Sequence, residues 1–284
     1  MRFKAKGKNI LIVVTFIIGL FTFFIWQNNS IVVNEITFKN DKIPDIFDGY
    51  RILQISDLHN KEFGNNQKNI LKKIEKMNPD IIFITGDLID SNNTNIDIAM
   101  DLIKETIDIA PIFYVSGNHE AWSDSYNILK SKLEEVGVTV LDNEKTEIYK
   151  ENSSIDLIGL SDTSFIESDW LEYSGNAQTR DLLSDLIEKN SNFKILLSHR
   201  PELFDIYSDS DVDLVFSGHA HGGQFRLPFI GGLIAPDQGL FPKLTEGIHV
   251  NNNTSMVISR GLGNSVIPIR IFNRPELIVV SLSK

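Results

Sequence analysis

Five short apolar runs in this chain each end in a small cluster of aspartate, histidine or asparagine, and this narrows the fold more than any other feature. Arg51–Ser56 leads into Asp57-Leu58-His59, Asp80–Thr85 into Gly86-Asp87, and Ile112–Val115 into Gly117-Asn118-His119-Glu120. Lys194–Leu197 leads into Ser198-His199-Arg200-Pro201, and Val212–Phe216 into Gly218-His219-Ala220-His221-Gly222-Gly223-Gln224. Runs this short and this apolar read as buried strands. Between them lie segments with helical periodicity: Gln67–Met77, with Ile70, Leu71, Ile74 and Met77 on one face, then Ile96–Ile107, Tyr126–Glu135 closed by Gly137, and Thr179–Lys189. Further strands are expected at Ile31–Phe38, Val138–Leu141, Lys145–Tyr149, Ile155–Leu160, Met256–Ser259, Ile267–Phe272 and Leu277–Val280, with loops at Ser91–Asn95 and Asn251–Thr254. Strands alternating with helices make an α/β layered domain, where side chains at several strand ends converge on one crevice.

Five of the six histidines fall in these strand-end loops, and His249 lies outside them. A single Asp-x-His or Gly-Asp carries little information. Gly-Asn-His-Glu and Gly-His-x-His-Gly-Gly carry more, because polar side chains directly after a buried strand serve no packing purpose and glycines let the backbone close around an ion. The chain has no cysteine, which removes disulfides, thiolate ligands, a cysteine nucleophile and a lipid-modified N-terminal cysteine. A metal would therefore be held by nitrogen and oxygen, a donor set that suits Mn, Fe, Zn, Co or Ni.

Charge and hydropathy divide the 284-residue chain unevenly. Arg2, Lys4, Lys6 and Lys8 form a basic start at residues 1–9, leaving 23 basic against 38 acidic residues elsewhere, a net of −15. Such an acidic body argues against nucleic acid as a partner, since that binding neutralises phosphates with Lys and Arg. Ile10–Trp26 follows without a charge, and at 1.5 Å per residue its seventeen residues span about 25 Å as a helix. A buried soluble helix would carry an amphipathic stripe, and this run is apolar on every face. A cleaved signal would show small residues before its cleavage site, and Trp26-Gln27-Asn28-Asn29-Ser30 offers none. The expectation is a signal anchor over 10–26, with a cytoplasmic tail at 1–9, a linker and leading strand over 27–49, and the α/β domain over 50–284 outside the cytoplasm.

Taken in order, the five strand-end motifs resemble the calcineurin-like metallophosphoesterase superfamily, from about Tyr50 to the C-terminus. The resemblance implies a four-layer αββα sandwich of two β-sheets flanked by helices. It also implies two divalent metal ions, one held by Asp57, His59, Asp87 and His221, the other by Asp87, Asn118, His199 and His219, with Asp87 bridging. His119 takes the place of the family's non-ligand histidine, which stabilises charge on the phosphate or protonates the leaving oxygen. Glu120 is expected either to orient His119 or to act as a helix N-terminal acid. Two ions about 3.5–4 Å apart lower the pKa of a shared water and neutralise phosphoryl oxygens during in-line attack.

Phosphoprotein phosphatases of this superfamily carry an arginine soon after the bridging aspartate, whereas Gly86-Asp87-Leu88-Ile89-Asp90-Ser91-Asn92 has none, which argues against a phosphoprotein substrate. The N-terminal apolar run, Gly222-Gly223-Gln224 and Ser259-Arg260-Gly261-Leu262-Gly263 instead resemble bacterial membrane-associated phosphodiesterases related to UDP-2,3-diacylglucosamine hydrolases. Arg200, Arg260 and Arg270 are candidate contacts for a substrate phosphate, and Asp162 is a structural candidate near the site. The expected reaction is hydrolysis of a phosphodiester or pyrophosphate bond in a lipid-linked or envelope substrate. A monoesterase or nucleotide phosphodiesterase on soluble substrates, and a non-catalytic envelope-binding protein, remain the alternatives.

Overall fold

Strands that are apolar on both faces have to be covered on both faces, and the chain does this by stacking two sheets and capping each with helices. The computed structural model describes residues 2–166, 171–264 and 268–284. The side chains of residues 1–7, and with them three of the four N-terminal basic groups, lie outside the described residues.

In chain order the first half comprises α1 (Arg2–Asn29), β1 (Val32–Lys39), β2 (Arg51–Ile55), α2 (Lys68–Met77), β3 (Ile81–Thr85), α3 (Ile96–Thr106), β4 (Ile112–Val115), α4 (Asn118–Ala121), α5 (Tyr126–Glu135) and β5 (Thr139–Val140). The second half comprises β6 (Glu144–Lys150), β7 (Ser153–Gly159), α6 (Leu171–Leu186), β8 (Lys194–Leu197), α7 (Phe204–Ser208) and β9 (Leu214–Ser217). Two small hairpins follow, β10 (Arg226–Leu227) with β11 (Gly231–Gly232) and β12 (Ile234–Ala235) with β13 (Gly239–Leu240). The chain closes on β14 (Gly247–Asn251), β15 (Thr254–Ile258) and β16 (Glu276–Ser283).

One six-stranded sheet has the order β1-β16-β2-β3-β4-β5 and the other β14-β15-β9-β8-β7-β6. Alternate residues of each strand serve different layers. Ile81 and Phe83 of β3 face Leu214 and Phe216 of β9 in the core between the sheets. Ile82 and Ile84 instead pack under α2, α3 and α5, through Ile70, Ile74, Leu102, Ile103, Leu129 and Leu133. On the outer face of the second sheet, Ile158, Leu196 and Val215 pack against Leu183 of α6 and Phe204, Ile206 and Tyr207 of α7. The result is the four-layer αββα sandwich, with β2, β3 and β4 parallel in one sheet and β7, β8 and β9 parallel in the other.

Three expectations need correction. Ile267–Phe272 is not a strand: among its described residues, 268–272, only Ile271 makes a bridge, to Phe225. Pro268 lacks an N–H for a ladder, and the segment instead turns Arg270 inward, where its guanidinium donates to the carbonyls of Arg260 and Gly263. Gly247–Asn251, read as no element, is an edge strand with alternately exposed residues, and Asn251–Thr254 is the tight turn that pairs it with β15. Asn252 sits there at φ +53°, a conformation asparagine accepts. Helix α6 ends at Leu186, three residues short of the expected Lys189.

The leading strand β1 runs parallel to β16 in full register, Val32 opposite Glu276 through Lys39 opposite Ser283, so the segment before Tyr50 forms part of the sandwich. Helix α1 extends the apolar run at both ends, and Lys8–Asn29 is long and apolar enough to cross a membrane. Its 22 residues measure about 33 Å, and residues 8–22 are exposed on every side.

Candidate metal centre

The polar side chains of each motif sit two to four residues beyond a strand end, at one end of the sandwich. Asp57 and His59 follow β2, Asp87 follows β3, Asn118 and His119 follow β4, His199 follows β8, and His219 and His221 follow β9. All of them are buried. The loops are laced together by main-chain hydrogen bonds: Asp57 N–H donates to Gly86 O, His59 N–H to Asp87 O, and Gly218 N–H to His199 O, each at 3.0 Å.

The side chains converge as two groups that share one carboxylate. Asp57, His59, Asp87 and His221 form one set able to hold a cation, and Asp87, His199 and His219 form another. Asp87 Oδ2 stands between them, 3.4 Å from His59 Nε2 and 3.2 Å from His199 Nε2. In the first set His59 Nε2 and His221 Nε2 are 3.1 Å apart, and Asp57 Oδ1 is 3.4 Å from His221 Nε2. In the second, Asn118 Oδ1 lies 3.1 Å and His219 Nδ1 3.2 Å from His199 Nε2. Among the described residues Asp57 Oδ2 and His59 Nδ1 find no hydrogen-bond partner though buried, which buried polar atoms rarely tolerate.

Partners behind several of these groups aim them inward. His199 Nδ1 donates to Thr85 O at 2.7 Å, leaving Nε2 for the centre, and His219 Nε2 meets Asp237 Oδ2 at 3.0 Å, leaving Nδ1. Asp87 Oδ1 accepts from the His119 N–H and Asp57 Oδ1 from the His219 N–H. Five of these residues, Asp57, His59, Asp87, His219 and His221, have φ between +46° and +63°. Non-glycine residues adopt that conformation at a cost of about 1 kcal/mol or more each, and such strain gathers at functional sites. At Gly117 a Cβ would lie 2.3 Å from Asp87 Oδ1, and at Gly218 one would lie 2.0 Å from Ser56 Oγ, so both loops need glycine to close on the cluster.

The electrostatics favour a cation. Burial opposes charge on His199, yet the Asp87 carboxylate raises its pKa to about 10. Burial likewise opposes ionisation of Asp87, but His199, then His59 and His119, hold its carboxyl well below the usual range. Burial followed by the charge of His59 and of Arg270 keeps His221 neutral and able to donate a lone pair. Imidazole, carboxylate and amide oxygen at these spacings fit divalent metal of the nitrogen- and oxygen-preferring kind.

A model of the family described as calcineurin-like phosphoesterase matches residues 50–223, a span that contains every one of these side chains except Asp237 and Arg270. The chain belongs to this family. It is similar to metallophosphoesterase YkuE of Bacillus subtilis, 33% identical over 90% of this chain and 87% of the relative. Phosphodiesterase YaeI of Escherichia coli is 26% identical over 86% of this chain and 84% of its own length. A Danio rerio protein named for a transmembrane segment with a metallophosphoesterase domain is 25% identical over 89% of this chain, which spans 57% of that longer protein. As a calcineurin-like phosphoesterase, the chain is a metal-dependent hydrolase of phosphoric esters.

Several residues of this phosphoesterase differ in role from their sequence reading. Arg200 is bound by Asp162, Glu202, Asp237 and Ser164, and Asp162 both pairs with it and accepts from the Ser164 N–H. Arg260 pairs with Glu276 and Glu246. Arg270 is buried with one Nη 3.4 Å from His221 Nδ1. All three candidate phosphate contacts are thus committed to protein partners. His249 lies on β14, against Glu246 O. Sequence reasoning missed Asp237 and Asp90. Asp237 braces His219 from the β12–β13 turn, with His219 and then Arg200 holding its carboxyl down at about 2. Asp90 stands 3.7 Å from His59 Nδ1 and 4.0 Å from His119 Nδ1, and its only sequence signal is its place three residues after Asp87.

Among the described residues the Glu120 carboxylate makes no hydrogen bond to the His119 ring. It accepts from the N–H groups of Asp87 at 2.8 Å, Gly117 at 2.7 Å and Ile89 at 3.1 Å, which ties the β3 loop to the start of α4. Burial and the nearby Asp87 charge push its carboxyl up to about 7 against the pull of those donors. Glu120→Ala strands three buried donors, each costing about 1–3 kcal/mol, and is expected to lower the thermal midpoint by at least about 5 °C. Thermal unfolding followed by circular dichroism checks this, and an unchanged midpoint would show that the brace carries no load.

Proposed function

We propose that this phosphoesterase holds two divalent ions, drawn from Mn, Fe, Zn, Co or Ni, and hydrolyses a phosphodiester or pyrophosphate bond in a lipid-linked or envelope substrate. The observation that carries the dinuclear reading is the position of Asp87 Oδ2 between two imidazoles of different sets. In this reading Asp57, His59, Asp87 and His221 bind one ion, and Asp87, Asn118, His199 and His219 the other. Bound there, the metal pair supplies a water of lowered pKa and charge to neutralise the phosphoryl oxygens.

The chain's own part centres on His119. Its Nδ1 accepts from the Ser91 N–H at 3.1 Å, so the neutral ring carries its proton on Nε2. Burial lowers its pKa and favours that neutral form, which donates a hydrogen bond through Nε2–H to charge on the phosphate or leaving oxygen; passing on a proton requires the charged ring. The Trp122 ring packs 5.3 Å from it while 60% exposed, forming a wall on which a substrate group can rest. Diester preference is supported by the Escherichia coli relative being named a phosphodiesterase, and a membrane setting by the Danio rerio relative being named a transmembrane protein.

The anchor reading completes the proposal: residues 1–9 in the cytoplasm, residues 10–26 across the bilayer, and residues 27–49 leading into a catalytic domain at 50–284 on the outer side. Its support is the exposed apolar helix and the basic residues before it. An assay of metal-reconstituted protein against p-nitrophenyl mono- and diesters, nucleotides and lipid pyrophosphates tests the substrate class. Diester or pyrophosphate turnover is expected to exceed monoester turnover by about tenfold or more, and chelation to abolish it. Monoester preference would overturn the proposed specificity.

A further inference from the structure

A groove with a volume of about 1030 Å³ lies away from the metal centre, between the last two turns of α1 and helix α2. One wall is apolar and aromatic, built from Ile25 and Trp26 of α1. The other carries Lys72, Lys73 and Lys76, with Glu75 as the single acidic residue of the lining. On α2 Lys76 lies four residues from Lys72 and three from Lys73, with Lys72 and Lys76 on the side opposite the buried Ile70 and Ile74 and Lys73 flanking them. Among the described residues none of the three is ion-paired, although residues 10–284 carry a net charge of −15. Like charges left unpaired on one helix face repel each other, and an anion between them removes that repulsion.

The position of the groove decides which anion. Lys72, Lys73 and Lys76 stand beside the end of the apolar helix, where Trp26 marks the level at which hydrocarbon gives way to headgroups. The same end is fixed to the domain, because Arg274 stacks over Trp26 at 4.6 Å and donates to Ser30, and the Asn28 side chain bonds the Arg270 N–H at 2.9 Å. We propose that this groove binds the headgroup of an anionic phospholipid, its acyl chains lying along α1 past Ile25. The proposal rests on the anchor reading above. Cationic side chains at a bilayer surface each favour anionic lipid by about fivefold, and a single headgroup engages only part of the cluster.

The test uses the full chain purified in detergent, titrated with phosphatidylglycerol or phosphatidylcholine, with bound lipids counted by native mass spectrometry. The wild-type chain is expected to retain phosphatidylglycerol about tenfold more tightly than phosphatidylcholine. The triple variant Lys72→Gln, Lys73→Gln, Lys76→Gln is expected to lose that preference to within about twofold while keeping its thermal midpoint. Equal retention of the two lipids by the wild type, or an undiminished preference in the variant, overturns the proposal and leaves the anchor reading standing. Competition by free glycerol phosphate at the same concentration as the lipid would identify a soluble ligand and overturn it too. A chain recovered from cells in soluble form without α1 would overturn both the anchor reading and this proposal.

Discussion

Asp87→Asn is expected to reduce turnover by at least about 10³-fold while leaving the fold intact. The substitution is isosteric, and an asparagine Oδ1 can still accept the His119 N–H that Asp87 Oδ1 now accepts at 2.9 Å. The loss falls instead on Oδ2, which stands 3.4 Å from His59 Nε2 and 3.2 Å from His199 Nε2. An amide nitrogen or neutral oxygen there removes the one charge shared by both sets of side chains, so both of the proposed ions lose affinity together. Steady-state kinetics on a diester substrate and a thermal melt distinguish this from unfolding. Near-normal turnover would remove Asp87 from the centre of the mechanism.

His119→Ala is expected to keep the metal and lose about 10²–10⁴-fold in rate, the range for a positioned acid or base. Its Nδ1 is occupied by Ser91 N–H, and the ring lies beside His59 with centroids 4.5 Å apart, close to the centre without belonging to either set of the proposed ligands. If Nε2–H protonates the leaving oxygen, the deficit should shrink for p-nitrophenyl esters, whose leaving group needs no proton, and grow for alkyl esters. Equal losses on both would assign His119 to charge stabilisation alone. A collapse in metal content would make it a ligand.

The parts of this protein that were readable in its sequence are those where local chemistry and burial coincide. A buried strand such as Ile81–Thr85 leaves no reason for Asp87 at its end except the crevice, and the same logic located Asn118, His199 and the His219–His221 pair. Elements whose placement depends on distant packing were not readable. Asp237 reaches His219 only because the β12–β13 hairpin folds back over the β9 loop, where Leu233 N–H donates to Gly223 O. Arg200 looked available for a phosphate because no local spacing announces that Asp162, Glu202 and Asp237 will surround it. Ile267–Phe272 has strand composition, but the inward turn of Arg270 takes it out of any ladder. Gly247–Asn251 has the reverse problem, since an edge strand needs only one buried face and its apolar pattern is diluted accordingly.

The central claim is that one carboxylate holds two ions. Metal content per chain, measured by plasma mass spectrometry on manganese-reconstituted wild type and Asp87→Asn together with their electron paramagnetic resonance spectra, tests it most directly. The wild type should bind about two ions per chain with the broadened spectrum of an exchange-coupled pair, and Asp87→Asn should fall to one or none with coupling lost. A fully active wild type holding one uncoupled ion per chain would contradict the account.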